Sequence, residues 1–186
     1  LLRTLPNEQW VNGFAEVIKH ACIKDAVLFS ILEKFTLHDF QHDETLLADL
    51  VERNVKIKTA VVVEDEFETG DRRLLNFGHT IGHAIENMHQ LLHGHAISIG
   101  MVAACNLSEQ LTGLHFDEAK RIVQLLAKYH LPVDIETDDE KVFQVLRMDK
   151  KRASNEMNFI LLKKIGEAII KPIELKVLHQ HLKEIL

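Results

Sequence analysis

Turn formers, cysteine and most aromatics are scarce in this sequence. Its 186 residues include 8 Gly, 3 Pro, 2 Cys, 1 Trp and 1 Tyr. So few turn formers exclude a turn-rich sandwich or barrel and favour long helices. They also leave little material for loops that cradle phosphates. Neither G-x-G-x-x-G nor G-x-x-x-x-G-K-[ST] occurs. Cys22 and Cys105 lack metal-site spacing and form no C-x-x-C, which excludes a disulfide framework and points to a reducing compartment. No apolar run reaches the roughly 18 residues of a membrane helix, and no secretory leader is read at the start. A cytoplasmic location is therefore expected, with no membrane partner. Positive charge is short as well. A net charge of −6 disfavours nucleic acid as a partner, but a few focused basic residues still suit a small anion.

What is present is an ordinary globular composition, 46% hydrophobic and 27% charged, which argues against a disordered tail or a coiled-coil rod. A chain of this length buries roughly 70% of its unfolded surface. The sequence opens on Leu1 rather than Met, so a piece of a longer protein is among the expectations.

Apolar periodicity predicts a helix from about Asn7, as N-cap, to Lys24, and a second over Ala26 to Phe35. A long third helix, capped by Asp43, runs from Glu44 to about Glu66. Thr69-Gly70-Asp71 breaks the chain, and Arg72 to Met88 reads as one further helix. Gly94 to Leu111 is apolar enough to be buried. Asp117–Tyr129 and Asp138–Met148 are amphipathic helices. The segment from Asn158 to Ile173 reads as a β-hairpin centred near Gly166, and Leu175 to Leu186 closes the chain as a helix. The expectation is a single, mainly α domain with one small hairpin, spanning residues 1–186.

Histidine is the residue in excess, with 12 copies. On one helix from Arg72 to Met88, the residues Arg72, Asn76, His79 and His83 would share a stripe about 60° wide. Leu74, Phe77, Ile81, Ile85 and Met88 would lie opposite, in the core. A solvated stripe is usually Lys, Glu and Gln rather than Asn, His and Gly. Gly78 and Gly82 each cost roughly 1 kcal/mol in a helix, which implies that something approaches the backbone there. His89, His93 and His95 follow. Such a cluster points to a metal or proton-transfer site, although spacing alone does not say which histidines are ligands. The Glu of an H-E-x-x-H motif is missing, so a zincin protease is poorly supported. In the first helix Glu16 and Lys19 share a face at i, i+3 amid apolar neighbours, making Glu16 a candidate third ligand from a distant helix.

Leu5-Pro6 with Gly13-Phe-Ala-Glu-Val-Ile-Lys, the Arg72–Glu86 segment, His93-Gly-His-Ala-Ile-Ser-Ile-Gly-Met and Met148-Asp-Lys-Lys occur in this order. Together they resemble the C-terminal half of the 3-dehydroquinate synthase family. The resemblance implies a multi-helix, metal- and substrate-binding domain, with the N-terminal NAD-binding α/β domain absent from this chain. The parent enzyme would be α/β plus α. It implies Glu16, His79 and His93 as metal ligands for Zn²⁺ or Co²⁺, and His83 and Glu68 as catalytic acid/base residues. Lys19, Lys58, Arg72 and Asn76, with one or other of Lys150 and Lys151, would contact a phosphorylated sugar-acid substrate. The family's reaction is an NAD- and metal-dependent carbon–oxygen lyase step of the shikimate pathway for aromatic amino acid biosynthesis. It turns 3-deoxy-D-arabino-heptulosonate 7-phosphate into 3-dehydroquinate and phosphate. Activity would require the N-terminal domain as partner, and a homodimer is a further candidate assembly. His95 departs from the Glu that many members carry there. Competing readings are a related sugar-phosphate cyclase, a metal-dependent polyol dehydrogenase of the same fold, and a metal-binding module without catalysis.

Overall fold

The computed structural model describes residues 2–65, 70–149 and 155–185. Within these residues the chain is mainly helical with one two-stranded antiparallel hairpin. The helices are α1 (Asn7–Lys24), α2 (Ala26–Lys34), α3 (Leu37–His42), α4 (Glu44–Glu64), α5 (His79–His89), α6 (His93–Thr112), α7 (Phe116–Lys128), α8 (Asp139–Asp149) and α9 (Leu175–Ile185). The hairpin is β1 (Glu156–Lys164) with β2 (Glu167–Glu174). No described helix is long and apolar enough to cross a membrane.

Side-chain caps set several boundaries. The Asp25 carboxylate accepts from the Leu28 amide at the start of α2, and Asp43 accepts from Thr45 and Leu46 at the start of α4. Thr36 and Asp39 form a reciprocal capping box that supports α3, a six-residue helix too short for periodicity to reveal. Asn7 does not cap α1. Pro6 holds that position without a side-chain bond, and the Asn7 side chain accepts from Gln41 instead.

Helix α6 is the central element and belongs to both halves of the core. On one side Trp10, Phe14, Ile18, Phe29 and Tyr129 gather α1, α2 and α7 around it. On the other, Ile81, Ile85, Phe143, Phe159 and Leu178 bring α5, α8, the hairpin and α9 onto it. Met157 pairs with Ile173 and Leu161 with Ile169 across the hairpin. The Leu162 amide donates to the Ser108 hydroxyl of α6 at 2.9 Å, locking the sheet to that helix. Gly166, at φ +84°, turns the hairpin and donates its amide to the Cys22 carbonyl at the α1–α2 junction.

The predicted continuous helix from Arg72 to Met88 is corrected. Asp71–Asn76 is a 3₁₀ turn, closed by the Phe77 amide donating to the Leu74 carbonyl. Gly78 then reverses the backbone at φ +78° before α5 begins at His79. Arg72 and Asn76 are therefore not on one helical stripe with His79 and His83. The cause is close packing: a Cβ at Gly78 would lie 2.6 Å from Met101 Cγ and 2.9 Å from the Ile97 carbonyl oxygen. At Gly82 it would lie 2.8 Å from Ile97 Cδ1. What approaches these glycines is α6, whose Gly100 in turn faces the Gly78 and Gly82 backbone.

Candidate metal centre

Three helices deliver one donor each to a common point. Glu16 comes from the middle of α1, His79 is the first residue of α5 and His93 the first of α6. Their donor atoms all lie within 4.8 Å of one another. The meeting of α1 with α6 has a sequence cause. The Gly94 amide donates to the Asn12 side chain at 2.6 Å, and a Cβ at Gly94 would collide with the Asn12 backbone carbonyl. Asn12 lies one turn before Glu16, so this contact sets the carboxylate beside His93.

Each ring is oriented from behind. His79 Nδ1–H donates to the Phe77 carbonyl at 3.1 Å, and His93 Nδ1–H donates to the Glu86 carboxylate at 3.1 Å. Both partners are pure acceptors, so the Nδ1 atoms carry the protons and Nε2 of each neutral ring presents a lone pair. The Nε2 atoms lie 3.5 Å (His79) and 3.8 Å (His93) from Glu16 Oε1. That oxygen is buried and has no hydrogen-bond partner. An orphaned carboxylate oxygen facing two imidazole lone pairs is poorly suited to stand alone and well suited to a dication. These residues therefore fit a Zn²⁺- or Co²⁺-type ion.

Electrostatics agree. Burial, with the nearby Lys19 charge, pushes His79 down to about 4, so its ring is neutral at neutral pH. Burial pushes Glu16 up, but the Lys19 charge and hydrogen bond, with His79 and His20, outweigh it and hold the carboxyl below its ordinary value. Glu16 divides its two oxygens: Oε2 accepts from Lys19 Nζ at 2.6 Å and Oε1 faces the histidines. Lys19 is only 3% exposed. Burial lowers it, Glu16 opposes that shift, and the Lys58 charge adds to the lowering. Next to it the buried His20 ring donates to Asn54 of α4 at 2.9 Å, tying α1 to the helix that carries Lys58.

The remaining expected residues are placed as follows. His83 is exposed at the rim, its ring centre 5.2 Å from His79 and 5.9 Å from His93. Arg72 sits in the 3₁₀ turn, which packs on α1 and α4, and its amide donates to the Asp65 carboxylate. Asn76 borders a narrow cleft beside Gly78, Ile81, Gly100 and Phe159. His95 is half-buried, two residues beyond His93. Glu68, Lys150 and Lys151 lie outside the described residues. Two contributors had no assigned role in the sequence reading: Glu86, which holds His93, and Asn12, which docks α6. Glu86 was detectable, since it follows His79 and His83 at helical spacing; Asn12 carried no signal.

Sequence comparison with known proteins points to one family. The family described as 3-dehydroquinate synthase C-terminal matches residues 13–152. The chain is 41% identical over 174 residues to the 3-dehydroquinate synthase of Campylobacter concisus, covering 91% of this chain and 49% of that protein. It spans about half the length of the curated relatives it matches. Among solved structures, 2-epi-5-epi-valiolone synthase from Streptomyces hygroscopicus, with NAD⁺ and Zn²⁺ bound, superposes with a TM-score of 0.83 at 25% identity. The match covers 99% of this chain and 53% of that one. A 2-deoxy-scyllo-inosose synthase complexed with carbaglucose-6-phosphate, NAD⁺ and Co²⁺ shares the fold, with a TM-score of 0.78 at 24% identity over 98% of this chain and 54% of that one.

Proposed function

The chain belongs to the 3-dehydroquinate synthase C-terminal family, and from that premise we propose that it is the metal- and substrate-holding part of a 3-dehydroquinate synthase. Residues 1–186 would form one helical unit, and an NAD-binding α/β domain would supply the other wall of the cleft. The proposed reaction converts 3-deoxy-D-arabino-heptulosonate 7-phosphate to 3-dehydroquinate and phosphate, a carbon–oxygen lyase step of the shikimate pathway. The single observation that carries this reading is the buried, partnerless Glu16 Oε1 facing His79 and His93 Nε2. The NAD⁺ and Zn²⁺ of the valiolone synthase support the same cofactors here.

In this reading Glu16, His79 and His93 hold the dication. When bound, the metal polarises the substrate hydroxyl to be oxidised and lowers its pKa. Glu86 and the Phe77 carbonyl keep the two rings aimed. Lys19, fixed by Glu16, and Lys58 set positive charge beside the site, where charge-assisted bonds to a carboxylate or phosphate are strong. Arg72 adds a bidentate donor from the 3₁₀ turn, and Asn76 an amide. His83, exposed and next to the ligand rings, moves a proton between substrate and solvent. Glu68 is assigned a second acid/base role, and Lys150 or Lys151 an added positive charge for the anion pocket. A related sugar-phosphate cyclase is the second reading, favoured by the valiolone synthase superposition. The higher identity to dehydroquinate synthases ranks it below the first.

Elemental analysis tests the metal centre. About one Zn²⁺ or Co²⁺ per wild-type chain is expected, with none tightly held by His79→Ala. No metal in either protein would refute the reading. The chain alone should release no phosphate from the heptulosonate in the presence of NAD; release would overturn the proposed division of labour.

A further inference from the structure

A second donor set lies against the first. On α5, Glu86 follows His83 by three residues, so both side chains project from one face. The donor atoms of His83, Glu86 and His93 fall within 4.8 Å of one another. His93 is common to both sets but turns a different nitrogen to each. Nε2 looks inward to Glu16 and Nδ1 outward to Glu86. The inner set is half-buried, whereas the outer opens to solvent through the exposed His83.

We propose that His83, Glu86 and the Nδ1 face of His93 form a second, outer site for a divalent cation of the zinc type, weaker than the inner one and antagonistic to it. The inference rests on the inner cluster being the metal centre. Two imidazoles and a carboxylate are a sufficient donor set for such an ion, with water completing its shell. The ion takes the place of the proton now shared between His93 Nδ1 and Glu86 Oε2, and that proton passes to solvent. Antagonism follows from the shared ring. With an ion already on Nε2, removing the Nδ1 proton requires an imidazolate, so a filled inner site weakens the third donor of the outer one. Conversely, an outer ion takes Glu86 away from His93, and losing such an orienting partner typically costs 10–100-fold in metal affinity. Excess metal would thus loosen the centre it normally fills.

Calorimetric titration of the metal-free chain with zinc chloride in a non-chelating buffer tests this. Wild type should show a tight event followed by one at least about tenfold weaker. His83→Asn should abolish the weaker event and keep the tight one. His79→Ala should lose the tight event and strengthen the weaker one. A single event in wild type that His83→Asn leaves intact would overturn the proposal. So would a weaker event that persists in His83→Asn, as zinc on the exposed His38–His42 pair would produce. A wild type lacking the tight event, but keeping one that His83→Asn removes, would instead overturn the inner centre and leave the outer site standing.

Discussion

Replacing Gly100 with alanine adds one methyl group where α6 crosses α5. The three atoms nearest the new Cβ would all be backbone: the Gly78 carbonyl oxygen, its carbonyl carbon at 3.0 Å and the Gly82 nitrogen at 2.7 Å. Comfortable contact begins at roughly 3.5 Å, so the helices must part by more than roughly 0.8 Å, the Gly78 carbonyl oxygen being nearer than the Gly82 nitrogen. No side chain can rotate away to absorb this. Overpacking costs about 1–3 kcal/mol, and backbone at the three nearest contacts favours the upper end. At about 2–4 °C per kcal/mol for a chain of this size, the melting midpoint should fall by about 6–12 °C. Gly13→Ala is the matched control. Gly13 lies exposed inside α1 with nothing within 4 Å of its would-be Cβ. There alanine should raise stability by about 0.5–1 kcal/mol. Both variants are followed by circular dichroism during thermal and urea unfolding. A Gly100→Ala midpoint at or above wild type would refute the close-contact reasoning, as would equal shifts in the same direction from both variants.

Two further perturbations probe the frame around the site. The buried Tyr129 hydroxyl lies 3.1 Å from the Leu32 carbonyl and 2.9 Å from that of Phe35, tying the end of α7 to the end of α2. Tyr129→Phe keeps the stack on Phe14 but strands the Phe35 carbonyl, while that of Leu32 still accepts from Lys128, so a loss of about 1–3 kcal/mol in urea unfolding is expected; an unchanged midpoint would contradict it. Arg121 donates twice to Glu33, at 2.8 and 2.7 Å, and this bonding holds the Glu33 carboxyl below its ordinary value. The folded-state value is the depressed one, so the pair's contribution is present above the ordinary glutamate range and lost as pH falls through the folded value. Both ends are about a third or more exposed, which limits Arg121→Ala to about 1 kcal/mol or less at neutral pH. The difference from wild type should shrink in acid, and growth there would overturn the assignment.

The sequence carries the helical class, the hairpin turn at Gly166 and the presence of a histidine cluster, because long apolar periodicities, a turn glycine and unusual polar residues are local signals. The choice of Glu16, His79 and His93 as ligands comes from the family resemblance, since spacing alone does not select among the histidines. What it hid was set by contacts between distant segments. The break at Gly78 arises because α6 presses on that backbone, while the pattern of Leu74, Phe77 and Ile81 suits a continuous helix equally well. Gly78 and Gly82 did signal a close approach, but the approaching body is α6 rather than a ligand. The docking of Asn12 on Gly94 spans 82 positions and has no periodic trace. Glu86 lay in view at helical spacing from His79 and His83, but a carboxylate on a helix surface acquires a role only once its imidazole partner is seen.

The contact of Gly78 and Gly82 with Gly100 also has a mechanical meaning. Helices that meet through side chains are compliant, because rotamers exchange and methyl groups slide. Here peptide groups bear directly on one another, and peptide geometry barely deforms. His79 and His93 open the two helices so joined, and Gly94 against Asn12 supplies a similar stop for α1. The spacing of the three donors is thus gauged by backbone thickness rather than by core volume. Methyl-sized changes among the surrounding leucines and isoleucines should alter how tightly the molecule holds together while leaving that gauge unmoved.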